Sequence, residues 1–272
     1  MKNRFLAGPY ILWMVIFTLV PLGVVAYYAF TDSVTGAFTL ENIAALGDYL
    51  PIFLRSIWLS VFATAICLLI GYPVAYFIAG CKPATQRVLQ MLLMLPMCMS
   101  FLLRTLAWVS LLEDTGIINS FLSSLGLSPL PLIRHNGAVV LGMVYNYLPY
   151  MILPLYTVIL KIDPRLVEAA QDLGCNSRRV FSRVVLPLSL PGIVSGVTMV
   201  FVPAVSTFYI SQKLGSPGAI LIGDVIESQF KAAYNPNLGA AMSLLLMILI
   251  FVCTGIMNHF SGTGEEEGVV TL

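Results

Sequence analysis

The chain has 272 residues, 58% of them hydrophobic and only 10% charged, against about 25% charged in an average soluble domain. With 14 Lys and Arg against 13 Asp and Glu, its formal net charge is +1, so no overall field attracts nucleic acid or an anionic surface. Apolar runs longer than the about 18 residues needed to cross a bilayer make it an all-α integral membrane protein and exclude an ordinary soluble globule.

The N-terminus reads MKNRF and then stays apolar from about Ala7 to Phe30. That run exceeds the about 7–15-residue core of a secretory signal, and no A-x-A cleavage pattern follows, so it reads as a retained first span. Spans are expected near 7–30, 55–80, 87–111, 137–160, 190–212 and 238–260, six in one transmembrane domain over residues 1–272. At about 1.5 Å per residue, such stretches are long enough to cross with some tilt.

Lys and Arg set the orientation. Lys2, Arg4, Lys82, Arg87, Lys161, Arg165, Arg178, Arg179 and Arg183 fall on one side, and Arg134, Lys213 and Lys231 on the other. Both termini and the 163–189 segment are therefore expected in the cytoplasm; the acidic tail GEEEG counts for little in this rule. Arg104 falls within the third span, about 26 Å past Arg87 on a straight helix. It is expected to snorkel to the outer interface, or to serve as a gate or pathway residue.

On the second span, Gly71, Ala75 and Ala79 form a small-residue row suited to helix packing. Pro73, Pro96, Pro149, Pro154 and Pro203 point to helices that bend around a cavity. The five cysteines (Cys67, Cys81, Cys98, Cys175 and Cys253) lack C-x-x-C spacing and read as small buried hydrophobes. His135 and His259 are far apart, so no metal site is expected. No G-x-x-x-x-G-K-[ST], G-x-S-x-G, H-E-x-x-H or G-x-G-x-x-G motif occurs.

One polar stretch interrupts the apolar sequence: DPRLVEAAQDLGCNSRRVFSRVVLPLSLPG, from Asp163 to Gly192. Asp163 can N-cap a helix with Pro164 at its first position, and Gly174 can stop it. Leu166, Ala169, Ala170 and Leu173 share one face, Glu168 and Asp172 another. A second helix starts at Asn176 or Ser177, with Val180, Phe181, Val184 and Val185 apolar and Arg178, Arg179, Ser182 and Arg183 polar. Like charges at i, i+4 cost about 0.2–0.5 kcal/mol in an isolated helix, so Glu168 and Asp172 look placed for something outside it. The pair is a solvated face, an acid/base pair lacking a pocket or nucleophile, or a docking knob for a soluble partner.

The segment EAAQDLGCNSRRVFSRVVLPLSLPGI resembles the EAA loop of ATP-binding-cassette importer permeases, through Glu168, Ala169, Ala170, Gly174, Leu186, Pro187, Pro191, Gly192 and Ile193. That resemblance implies a type I importer permease fold of six transmembrane helices in a bacterial cytoplasmic membrane. Its cytoplasmic loop would enter a groove on an ATPase subunit through Glu168, Ala169, Ala170, Asp172, Gly174 and Arg178. It also implies a path between this chain and a second homologous permease, an external substrate-binding protein, and an ATPase dimer that binds the ATP and Mg. This chain itself would bind no cofactor.

Three further segments, RSIWLSVFATAICLLIGYPVAYFIA, LPLYTVILKIDPRLVEAA and VPAVSTFYISQKLGSPGAILIGDVIESQF, resemble B-type permeases of the spermidine/putrescine family. Some of those carry an acid after the F-Y-x-S stretch, where this chain has Gln212. A polyamine would then cross without a mid-span carboxylate, held by cation–π contacts, hydroxyls and carbonyls. Tyr145, Asn146, Tyr147 and Tyr150 on one side, Thr207, Phe208, Tyr209 and Ser211 on the other, and Arg104 are the pathway candidates. The tyrosines can equally be packing or interfacial residues.

Iron, sulfate, opines or amino acids are alternative cargoes for the same machinery. An ion-coupled secondary transporter would need intramembrane acids and inverted repeats. Asp32, Glu41, Asp48, Glu113, Asp114, Asp224 and Glu227 are instead all expected in outer loops. There, Ile117, Phe121 and Leu125 share one face, as do Ile222, Val225 and Ile226, forming docking surfaces or interfacial helices.

Overall fold

The computed structural model describes residues 8–33, 35–216, 218 and 220–261. Lys2, Arg4 and the acidic tail lie outside the described residues. Helix α1 (Gly8–Ala29) makes a π turn at Val15–Leu19, next to Pro21, whose missing N–H cannot serve the Phe17 carbonyl. Beyond its far end the chain turns back on itself. There Asn42 Nδ2 and Asn237 Nδ2 both donate to Thr31 O, at 2.9 and 2.6 Å. A short lead-in over Glu41–Ala44 and Ala45–Tyr49 opens α2 (Leu50–Ala79).

Helix α3 (Pro83–Cys98) ends at Met99 and Ser100, both extended, before α4 (Phe101–Leu112) and α5 (Ile117–Ser124). The chain turns by 88° at this break. The expected third span, 87–111, is therefore a bent pair and not one straight helix. Pro96 removes an N–H from the last turn of α3, and the extended residues after it stop the helix.

Four elements complete the frame that holds the site: α6 (Asn136–Leu160), α7 (Pro164–Asp172), α8 (Ser177–Leu188) and α9 (Leu190–Val205). Three more follow, α10 (Tyr209–Leu214), α11 (Ile222–Lys231) and α12 (Pro236–Ser261). The expected fifth span, 190–212, stops at Val205, and α8 meets α9 at a 63° bend. Among the described residues four helices are long and apolar enough to cross a membrane, and counting each bent pair as one span gives six.

Helices α2, α6 and α9 pack against one another at the centre, while α1 packs chiefly against α12. Met151 of α6 is fully buried where all three meet. A Cβ at Gly196 would stand 2.7 Å from its Sδ, and one at Gly71 3.0 Å from its Cγ. Between apolar helices in lipid, such close backbone approach supplies much of the attraction. Gly71 and Ala75 of the expected small-residue row are buried, and Ala79 is half-buried. The Gly192–Gly196 pair on α9, which that row does not include, contributes equally. Outside this centre, α2 turns Leu54, Trp58, Leu69 and Phe77 outward, a surface suited to hydrocarbon.

Candidate functional site

The α7–α8 loop forms one end of the bundle. Asp163 accepts the Arg165 N–H at 2.9 Å and Asn176 accepts the Arg179 N–H at 3.0 Å, capping both helices. Between them Gly174 takes φ +79. Gly174 N donates to Gln171 O at 2.8 Å and Cys175 N to Ala170 O at 3.1 Å, the paired bonds of a Schellman turn. Nothing lies within 4 Å of a Cβ added there, so glycine is required by the backbone conformation and not by space.

Helix α8 is anchored and α7 is largely exposed. The Phe181 ring meets Tyr72 and Tyr76 of α2 edge-on at 5.5 and 6.1 Å, and Tyr72 Oη lies 2.8 Å from Ser189 Oγ at the α8–α9 bend. Val180 and Val185 are buried beneath. No residue of α7 is buried, and Leu173 is 86% exposed. Glu168, Ala169, Asp172, Gly174 and Arg178 are exposed and Ala170 half-buried. A push on α7 therefore has a stiff route through α8 into the central helices.

The pathway candidates do not form one site. Tyr147 is buried, donates to Pro203 O at 3.3 Å and lies 6.5 Å from the Tyr150 ring. Thr207 and Arg104 stand near it. Tyr145 points away, edge-on to Trp108 at 5.3 Å. Asn146 is buried and donates to Gly142 O at 2.8 Å. Phe208 faces a separate groove beside Ile226 and Phe251. Tyr209 lies 6.2 Å from Phe101 and carries Lys213 Nζ 5.8 Å above its ring. Ser211 lines another cavity.

Arg104 does not snorkel. It is 6% exposed, and its Nε and Nη1 are enclosed with no hydrogen-bond partner among the described residues. The 88° bend explains the difference. Helix α4 does not continue α3 outward but packs against α6 and α10, so distance counted from Arg87 along a straight helix does not apply.

At the end opposite the loop, a cavity of about 780 Å³ is lined by Tyr49, Arg134, Ser211, Gln212, Asp224 and Ser228, among others. Asp224 lies in the connection between α10 and α12, on the first turn of α11, and is 8% exposed. Its Oδ2 accepts Leu221 N at 2.8 Å, while Oδ1 is enclosed without a partner. Burial pushes its carboxyl up, and the Leu221 N–H, Ser211 and Gln212 beside it pull the other way. The shortest bonds of these two side chains go elsewhere, the Ser211 hydroxyl to Phe208 O at 2.8 Å and the Gln212 amide to Glu227.

The cavity wall is fixed from several elements. Ser56 of α2 accepts Ile222 N at 2.8 Å, and Arg55 donates to Gly218 O at 2.9 Å and to Asn136 Oδ1 at 2.8 Å. Arg134 holds the left-handed φ of 64 while its N–H donates to Leu214 O at 3.0 Å. A non-glycine residue in that region is uncommon and tends to mark a constrained, functional place. Ile222 and Val225 are buried and Ile226 is partly buried, so their shared face packs inward. Ile117, Phe121 and Leu125 stay exposed.

The geometry is that of a helical membrane bundle with a capped, exposed loop fixed to its central helices, and the family it matches is one of non-catalytic permease subunits. The chain belongs to the family described as binding-protein-dependent transport system inner membrane component, whose model matches residues 68–262. It is a multi-pass inner-membrane protein. It is 38% identical over 255 residues to the spermidine/putrescine transport system permease protein PotB of Haemophilus influenzae, covering 88% of each chain. The PotB of Escherichia coli is 36% identical over 247 residues, covering 88% of this chain and 90% of that one. A solved bacterial alginate ABC transporter, in complex with an alginate pentasaccharide-bound periplasmic protein, matches with TM-score 0.73 at 19% identity, covering 98% of this chain and 97% of that one. The fold is the type I ABC importer permease fold.

Proposed function

We propose that the chain forms one permease half of an ATP-driven importer for polyamines. The observation that carries this reading is the 38% identity to a spermidine/putrescine permease along nearly the whole of both chains. Cargo reaches it from an external binding protein and passes between it and a second homologous permease. Helix α7, with Glu168, Ala169, Ala170, Asp172, Gly174 and Arg178, seats on an ATPase dimer that binds ATP and Mg. The exposed and capped α7 supports this, because its apolar Leu166 and Leu173 are exposed. The distribution of Lys and Arg puts both termini and this loop in the cytoplasm.

Radiolabelled uptake by the assembled importer with its binding protein is the test, run with spermidine, putrescine, sulfate, ferric iron and amino acids. Spermidine or putrescine is expected to accumulate only with ATP. Accumulation of an anion or of iron, with polyamines left outside, rejects the cargo and leaves the importer permease.

A further inference from the structure

Asp224 is the only buried acid among the described residues, and one of its oxygens has no partner. We propose that the Asp224 carboxylate receives a primary ammonium group of the cargo at the wall of the 780 Å³ cavity opposite the coupling loop. This deepens the polyamine reading and rests on it.

An enclosed carboxylate oxygen left without a donor is costly, more so than a neutral polar atom. The side chains around it make their short hydrogen bonds elsewhere. Ser211 donates to the Phe208 carbonyl, Gln212 to Glu227, and Lys231 Nζ sits 2.6 Å from Glu227 Oε1. Lys213 Nζ lies over the Tyr209 ring. Arg134 spends its backbone N–H on Leu214 O and its side chain is exposed.

A group that brings both a donor and a positive charge from outside the chain would complete the site. An ammonium supplies three donors on a compact charge. The cavity falls within the about 300–1,000 Å³ typical of ligand sites, with Tyr49, Ser228 and Gln212 on its walls. Arg134 and Lys213 also line it, but both are exposed. Solvated charges are screened over about 8 Å at physiological salt, a buried one much less, so Asp224 sets the field at the inner wall. Lys213 shows that an ammonium already rests on an aromatic face one helix away.

The test uses the complete importer in proteoliposomes. Spermidine uptake should fall about tenfold or more in Asp224→Asn and stay within about threefold of the unaltered protein in Asp224→Glu, as expected for one charge-assisted contact. A cysteine at Ser228, exposed on the same wall, reads occupancy without turnover. Spermidine should slow maleimide labelling of Ser228→Cys, equimolar sulfate should not, and adding Asp224→Asn should remove the protection. If the Asn variant does not assemble, the contrast between spermidine and sulfate in Ser228→Cys alone decides. Full spermidine uptake in Asp224→Asn, or labelling that spermidine does not slow, overturns the site. Protection by sulfate in place of spermidine overturns it too, making the cavity an anion site. An unaltered importer that moves no polyamine overturns the cargo assignment, a separate result.

Discussion

Arg104 is a full charge enclosed by helices, with two nitrogens unpartnered. Removing one member of a buried ion pair is destabilising, but replacing an unpaired buried charge by a side chain of similar volume is not. Arg104→Met should therefore leave the melting temperature of the purified permease unchanged or raise it by about 2–4 °C per kcal/mol gained. A fall of more than that, measured by thermal unfolding in detergent, would show that the guanidinium has an acceptor in the assembled protein. Tyr209 allows a second expectation, since its ring already holds Lys213 Nζ at 5.8 Å. Cation–π contacts contribute about 0.5–2 kcal/mol, so Tyr209→Ala should slow spermidine uptake about 2–30-fold while binding-protein affinity stays the same. An unchanged uptake rate would make Tyr209 a packing residue against Phe101. These two residues also mark how far single positions can be read from sequence. Asp163, Gly174 and Asn176 declare themselves because a cap depends on neighbours two or three residues away. Arg104 and Asp224 do not, because their burial depends on the 88° turn at Met99–Ser100 and on the break between α10 and α11, which leave no periodic signal.

Helix α7 and its turn are the element to which the proposal assigns coupling. Gly174 has open space around it but φ +79, which a β-branched residue adopts at a cost of about 1–2 kcal/mol and asparagine much more readily. Gly174→Asn should keep most ATP-driven uptake, whereas Gly174→Val should lower both uptake and cargo-stimulated ATP hydrolysis. Equal loss in both variants would point to steric contact and not to backbone conformation. Glu168→Lys, which leaves the turn intact, should also lower both rates while the protein stays in the membrane. On α9 the constraint is the reverse. Gly196 lies against Met151 with no room for a Cβ, and overpacking costs about 1–3 kcal/mol or more. Gly196→Leu should thus reduce the yield of folded permease in membranes, read by size-exclusion chromatography. Long apolar helices such as α6 and α12 were readable from length and composition alone. The bent pairs were not, since apolarity continues through Met99–Ser100 and across Ser189, and only backbone geometry shows the 88° and 63° turns.

The assembled picture is a permease whose central helices α2, α6 and α9 join a cavity at one end to a protruding loop at the other. The proposed sidedness rests on the distribution of Lys and Arg. A cysteine at Ser177 should be labelled only from the cytoplasm and one at Ser124 only from outside, with reversed labelling inverting the molecule. The central claim is that α7 delivers the motion of an ATPase to polyamine transport. Leu173, exposed at the tip of that loop, gives the most direct measurement: a benzophenone cross-linker on Leu173→Cys, illuminated in the complete importer, followed by mass spectrometry of the adduct and by ATP-driven spermidine uptake. The expected result is an adduct on the ATPase subunit and loss of uptake on illumination. An adduct on the external binding protein, or full uptake with the ATPase adduct in place, would contradict the account.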